Sequence, residues 1–494
     1  MPARRKQLLS THHYIACDLG AESGRVMLGT LADDRLALEE VHRFPNGPIA
    51  VNGSLRWDVL RLFDELKVGL RKVRARGVSV AGLSSDSWGV DFVWLRDHEP
   101  LLTAPYHYRD ARTDAGFERA FALVTGEEIF AETGVQFMTI NTLYQMHADV
   151  QQRPWVLKAA DCFLPIGDYF NYLFSGVAKA EASLASTTQL YNPKRGKWSR
   201  PLLKKLGLPK KLFPEVVPSG TVLGAALPEL GLPGAQVIAA CSHDTGAAVA
   251  AVPAAGRGWA YLSSGTWSLL GIEAKKPIIT DQSREYNFTN EVGYGGRIRF
   301  LKNIIGLWIL QECRRTWANE GCEYDYEQLE QMAAEAAPLR VLINPDDPRF
   351  GRPNDMPQKI VDCCRETGQS PPATHGEVAR CVLESLALLY RKTLDELEAV
   401  TGQKLTTLHI VGGGSKNKLL NQFSANATGR TVVAGPVEAT AAGNVLIQAI
   451  ALGHLPSLDA LRRVVGQSFP VQAYQPQSTA MWQEAYERFR RITS

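Results

Sequence analysis

From His13 onward, apolar and polar positions alternate in short runs. "YIACDLG", "RVMLGTL" and "LALEEVHRF", parted by "AESG" and by Asp33-Asp34, predict three strands in a meander. The period then changes. In "WDVLRLFDELKVGLRKV", Val59, Leu62, Phe63, Leu66, Leu70 and Val73 recur at helical spacing, and Gly77 stops the helix before a strand in "VSVAGL". The order is three strands, a helix, a strand.

The second half follows the same plan. "WAYLSSGTWSLLGIE" reads as strand, Ser/Gly turn, strand. "ARCVLESLALLYRKTLDELEAVTG" is an amphipathic helix with Val382, Leu386, Leu389, Leu397 and Val400 on one face, ended by Gly402 before the strand "LTTLHIVGGG". Two copies of one unit predict two similar α/β domains, over residues 10–253 and 254–494, joined near "AVPAAGRG". Residues 100–235, with helices such as "DYFNYLFSG" among Pro- and Gly-marked loops, read as an insertion walling one side of a cleft.

Composition narrows the class. The 494 residues exceed one compact core, and 45% hydrophobic with 21% charged residues describes a soluble globular protein. A net charge of +3 gives no electrostatic reason to expect nucleic acid or a membrane surface, and the basic run is only Arg4-Arg5-Lys6. No apolar run suits a signal peptide or a spanning helix, so the expected location is the cytoplasm, as a monomer or small homo-oligomer. The eight cysteines lack zinc spacing; whether Cys364 and Cys381 form a bridge is left open.

Three turns share a chemistry: "DLGAESGR", "LSSGTW" and "VGGGSKN" each follow a β-rich run with small residues whose backbone N–H groups can approach phosphate oxygens. Asp18 in the first suits Mg²⁺, which takes few carboxylates and keeps its waters, and Arg25 adds positive charge. Ser415 in the third is placed to cap the helix "KNKLLNQFSANATG". Walker A, dinucleotide-fold and protein-kinase motifs are absent. In "CSHDTGAAVA", Asp244 follows the strand "AQVIAAC" where a small-residue helix begins. Two roles fit a carboxylate there: an N-cap, which Ser242 could equally supply, or a general base taking the proton of an attacking hydroxyl. The phosphate-suited turns favour the base.

At "DLGAESGRVML", "DSWGVDFVWL", "SHDTGAAVAAVP", "AYLSSGTWSLLG", "LKNIIGLW" and "HIVGGGSKNKLLNQ" the sequence resembles the FGGY carbohydrate kinases almost end to end. Within them it resembles the branch acting on L-rhamnulose. The resemblance implies two actin-like, ribonuclease-H-like domains with catalysis in the cleft between them, ATP on the second-domain side and sugar against the first. It implies Asp244 as proton acceptor, with Gly89, His243, Thr245 and Asn303 at the sugar. Ala21, Glu22, Ser23, Gly24, Arg25, Thr266, Gln311 and Gly413 would serve ATP, and Mg²⁺ would sit by Asp18. Glu22 stands where a small hydroxyl residue is usual, and a carboxylate there must point away from phosphate. The implied reaction is ATP-dependent formation of L-rhamnulose 1-phosphate in L-rhamnose breakdown. L-fuculose or a xylulose as substrate, or a silent ATP- and sugar-binding regulator, are the alternatives.

Overall fold

The computed structural model describes residues 11–493, so the basic Arg4-Arg5-Lys6 run lies outside the described residues. The chain forms two compact units, each assembled from separated stretches. The first holds residues 1–253, 274–300 and 439–469, and the second 254–273, 301–438 and 470–494.

In the first unit the meander forms as β1 (His12–Leu19), β2 (Ser23–Ala32) and β3 (Arg35–Pro45), paired antiparallel. Helix α1 (Val59–Arg74) follows. It starts at Val59, two residues after the apolar pattern begins, because Asp58 accepts the Arg61 N–H as N-cap at 3.0 Å. Trp57 is fully buried. After α1, β4 (Val80–Ser87) pairs parallel with β1, and β5 (Thr221–Ala225) and β6 (Gln236–Ala239) complete the sheet in the order β5-β6-β4-β1-β2-β3. The parallel strands β1, β4 and β6 are covered on both faces, so their consecutive residues are buried, Ser84 to Ser87 of β4 included, whereas β3 is largely exposed. Helix α2 (Asp244–Ala250) leaves the end of this sheet.

Between β4 and β5 the inserted segment builds its own core around Phe92, Trp94, Leu143, Phe163 and Leu202. Its helix Ile166–Ser175 ends at Gly176, whose φ of 73° is left-handed.

The second unit is built on β7 (Trp259–Ser264) and β8 (Trp267–Ala274), an antiparallel hairpin. Strand β7 pairs parallel with β11 (Thr407–Val411), as β1 pairs with β4, and β11 with β12 (Thr431–Ala434). The chain passes through β9 (Thr289–Val292) and β10 (Ile298–Ile305), leaving the first unit within β10. Helix α3 (His375–Thr401) ends at Gly402, and α4 (Lys418–Thr428) follows β11. Asn417, rather than Ser415, caps α4: its Oδ1 accepts the Leu420 N–H, while the Ser415 hydroxyl donates back to the Gly412 carbonyl. Helices α5 (Ala439–Ala451) and α6 (Leu458–Ser468) belong to the first unit, where α5 packs on β1 and α2. Among the described residues no helix is long and apolar enough to cross a membrane. Cys364 and Cys381 are buried free thiols.

Candidate functional site

The carboxyl ends of β1, β4 and β6 lie side by side, the place where open α/β sheets expose backbone and side chains to a ligand. Register does the rest. Asp18 is the parallel partner of Asp86, and Ser87 bridges to His243 with its N–H on the Ser242 carbonyl at 2.9 Å. Asp18, Asp86 and Asp244 therefore gather at one end of one sheet, although they are 68 and 158 residues apart along the chain from Asp18 to Asp86 and from Asp86 to Asp244.

Each carboxylate has a different setting. Asp18 Oδ2 receives Arg25 Nη2 at 2.5 Å, so the arginine read as a phosphate neighbour is tied to the strand beside it. Asp86 is fully buried: Asn444 of α5 donates to Oδ2 at 2.6 Å, and Oδ1 is buried without a hydrogen bond. Burial, with the Asp18 charge next, pushes the Asp86 carboxyl well above the usual range, against the opposing Asn444 bond. The Asp244 side chain is 28% exposed. Its Oδ1 accepts the Thr245 N–H at 2.5 Å and the Thr245 hydroxyl at 3.1 Å, and His243 Nε2 stands 3.5 Å away. Burial raises the Asp244 pKa first; His243 and the Thr245 bonds pull it down, and Asp18 adds to the rise. The donors congregate on Oδ1, which leaves Oδ2 as the oxygen able to take a proton.

The backbone carrying Asp244 is fixed from beneath. Glu181, fully buried, accepts the Ser242 N–H at 3.0 Å and the hydroxyls of Ser183 and Ser219, and Ser183 Oγ in turn accepts the His243 N–H at 3.0 Å. Asp244 is the first residue of α2, and the N-cap position falls on His243, whose side chain makes no capping bond. The N-cap role weighed for Asp244 is thus not its place in the helix. Small residues in α2 admit α5: a Cβ on Gly443 would lie 1.9 Å from the Ala247 carbonyl oxygen.

The remaining first-unit residues sit near these strand ends. Gly20 to Glu22 form the tight turn from β1 to β2, closed by Gly20 N–H to Ser23 O at 3.0 Å. Ala21 is half-buried, Glu22 is exposed, and Ser23 opens β2. Gly24 is a glycine because a Cβ would strike the Phe44 ring at 2.3 Å. Gly89 follows Trp88, whose N–H bonds to the Leu19 carbonyl at 3.2 Å, and its Cβ position faces Thr187.

In the second unit, Thr266 occupies the β7–β8 turn. Its carbonyl accepts the Trp308 N–H at 3.1 Å, and the Gly265 carbonyl accepts that of Leu307 at 3.0 Å, which brings the turn to the start of the helix Trp308–Asn319. Gln311 lies one turn into that helix, and its buried Oε1 has no hydrogen-bond partner. The glycine loop meets the same hairpin: Gly412 has φ of 85°, and a Cβ on Gly414 would fall 2.0 Å from Ser264 Oγ. A Cβ on Gly413 would meet only open space. The β7–β8 hairpin thus meets both the glycine loop and the start of the helix that carries Gln311, while Asn303 is a half-buried residue of β10.

Sequence reasoning missed Asp86, Glu181, Glu291, Arg299 and Asn444. Asp86 carried a signal: "LSSDSW" places a lone carboxylate at the end of an apolar strand, as "IACDLG" does for Asp18. The others sit in segments whose sequence shows only a polar residue in a buried run.

The N-terminal domain of the FGGY family of carbohydrate kinases matches residues 13–251, and its C-terminal domain matches residues 260–452. A rhamnulokinase of Bacteroides thetaiotaomicron is 44% identical over 97% of this chain and 99% of that protein. A rhamnulokinase of Enterococcus faecalis is 42% identical over 95% of this chain and 96% of that protein. Among solved structures, a gluconate kinase from Lactobacillus acidophilus superposes with a TM-score of 0.80 at 17% identity over 98% of both chains. A ligand-bound xylulose kinase from the same organism gives 0.80 at 17% over 97% of both. The identity of these two is low enough that they speak for the fold alone. Both halves of the chain, the two-unit α/β fold and the full-length relatives agree, and the chain belongs to the FGGY family of carbohydrate kinases.

Proposed function

We propose that this kinase phosphorylates L-rhamnulose at O1 with ATP, giving L-rhamnulose 1-phosphate for L-rhamnose breakdown in the cytoplasm, with Asp244 as general base. The observation that carries the substrate is near-full-length similarity to proteins named rhamnulokinase, at 44% and 42% identity. The geometry of Asp244 supports its role: a partly exposed carboxylate of raised pKa with one oxygen held by donors and the other left for the proton.

In this reading Gly89, His243 and Thr245 of the first unit are assigned to sugar, as is Asn303 of the second. The turn from Ala21 through Glu22, Ser23 and Gly24 to Arg25 in the first unit, and Thr266, Gln311 and Gly413 in the second, are the residues assigned to nucleotide. Gly413 leaves bare backbone, and the unpartnered Gln311 Oε1 is an acceptor awaiting a donor. Asp244 Oδ2 takes the O1 proton as that oxygen bonds to the γ-phosphorus, and the bond from phosphorus to the ADP oxygen breaks, so ADP leaves with the electron pair. Magnesium, when bound, neutralises charge on the transferring phosphates. Asp18 is the residue to hold it, with the unsatisfied Asp86 Oδ1 beside it. Among the described residues no three His, Cys, Asp or Glu side chains are grouped to hold an ion, and magnesium takes few carboxylates. The exposed Glu22 side chain supports a turn that meets nucleotide through backbone.

A coupled ADP-release assay over L-rhamnulose, L-fuculose, D-xylulose and L-xylulose tests the substrate. The highest kcat/KM is expected on L-rhamnulose. A better value on another ketose overturns the substrate, and ATP binding with no phosphorylated product overturns the kinase.

A further inference from the structure

Two side chains from outside the motif converge on the ring of His243. Glu291 comes from β9 and Arg299 from β10, within the 274–300 stretch of the first unit. Arg299 is wholly buried, and its Nη2 stands 2.9 Å from His243 Nδ1 and 2.9 Å from Glu291 Oε2. Glu291 Oε2 lies 3.3 Å from the same ring nitrogen. The other ring nitrogen, Nε2, faces Asp244 Oδ1 at 3.5 Å.

A guanidinium carries five N–H donors and no lone pair. Where Nη2 approaches a ring nitrogen at 2.9 Å, that nitrogen must present its lone pair. The imidazole proton then resides on Nε2, on the side of Asp244. The opposite tautomer would set a lone pair against the Asp244 carboxylate and a ring N–H against the guanidinium, both repulsive. Glu291 balances the buried Arg299 charge and competes for the same nitrogen, so the tautomer depends on which of the two engages it.

Resting on the kinase reading above, we propose that Arg299 is a positioning residue that fixes His243 as its Nε2–H tautomer. The N–H is thereby directed at Asp244 Oδ1, and Oδ2 is kept as the oxygen that takes the sugar proton. Glu291 serves as the counter-ion that lets a guanidinium occupy this dry position.

The test joins a spectroscopic readout to a mutant cycle. In protein labelled with ¹⁵N-histidine, the resonances lost in His243→Asn identify the ring, whose nitrogen shifts report the tautomer. Nε2–H is expected in the wild type, and Nδ1–H overturns the proposal. Arg299→Lys, which keeps the charge and so protects folding, is expected to lower kcat about tenfold or more, the usual effect of removing a partner that orients a functional side chain. In the His243→Asn background the same substitution should cost less than about twofold, because the two residues act as one unit. Equal losses in both backgrounds show that Arg299 does not act through His243, and the proposal falls. The tautomer is read without substrate, so a wild-type protein that fails to phosphorylate L-rhamnulose sinks the substrate reading while leaving the histidine geometry to be judged by itself.

Discussion

Replacing Asp244 by Asn removes basicity and little else. The Asn side-chain oxygen can keep the place of Oδ1, where the Thr245 N–H and hydroxyl already donate at 2.5 and 3.1 Å, so the amide NH₂ falls at Oδ2, where the sugar proton would go. Pose is retained and the proton acceptor is lost. A general base contributes about 10² to 10⁴ in rate, or ~3 to 5 kcal/mol of barrier. Phosphoryl transfer has a loose transition state in which the attacking hydroxyl is little activated, so the expected fall in kcat is about 10²-fold. Stability should not suffer. Burial raises the Asp244 pKa, so its ionisation opposes folding at neutral pH, and a neutral amide removes that opposition. The assay is ADP release at saturating ATP and ketose, with thermal unfolding and ATP affinity measured on the same preparation. A folded, ATP-binding Asp244→Asn protein with kcat within about threefold of the wild type refutes the assignment of the base, given the size general bases supply.

Three further outcomes follow from particular contacts. Because Asp244 must be ionised to accept a proton and burial raises its pKa, kcat should climb with pH through a limb lying above the ordinary carboxylate range; a pH–rate profile flat down to the ordinary Asp value near 3.9 would contradict this. Asp91, buried under Trp57, Trp88 and Gln145 donors, is pushed up by burial to about 6 from 3.8. Its contribution to stability is full below the unfolded value and is lost as pH rises through about 6, a change on the order of 3 kcal/mol. In Asp91→Asn, denaturant melts should show that slope flattened, whatever the offset. Gly443→Ala would drive a methyl to 1.9 Å from the Ala247 carbonyl, so α2 and α5 must part; a loss of about 1–3 kcal/mol is expected in urea unfolding, with kcat falling because Asp244 opens α2.

Periodicity made the repeated unit legible because β1, α1 and β4 each carry their own pattern: a run covered on both faces, a stripe at helical spacing, and another covered run. The small-residue turns and "SHDT" were legible because glycines, small hydroxyl residues and a lone carboxylate at a strand end stand out from an apolar run. Position in three dimensions was not. Nothing in "DLG" or "SSDS" states that Asp18 and Asp86 are register partners; that is a property of β1 pairing parallel with β4. Ser415 illustrates a local limit. Both it and Asn417 can cap a helix, and the choice fell to Asn417 because Ser415 is held in the turn after Gly412 by a bond to that residue's carbonyl.

Several residues packed about Asp86 and His243 come from late in the chain. Asn444, which holds Asp86, and Gln448, which donates to Asn444 Oδ1 at 2.7 Å and to the Ile15 carbonyl at 3.0 Å, lie on α5. Glu291 lies on β9 and Arg299 on β10, after the chain has made its first crossing to the second unit. Residues 1–253 alone would therefore expose β1 and α2 where α5 packs, leave the buried Asp86 without its amide partner and free the His243 ring. A buried carboxylate deprived of its donor costs more than the bond is worth, because its desolvation remains. The acid cluster is thus complete only when residues near 450 have returned to the first sheet, and the same closure that covers β1 sets the surroundings of Asp86. If the proposed base is right, a substitution at Asn444 or Gln448, remote in sequence from every motif, should lower both the unfolding midpoint and kcat; a loss of stability with kcat unchanged would separate the cluster from catalysis.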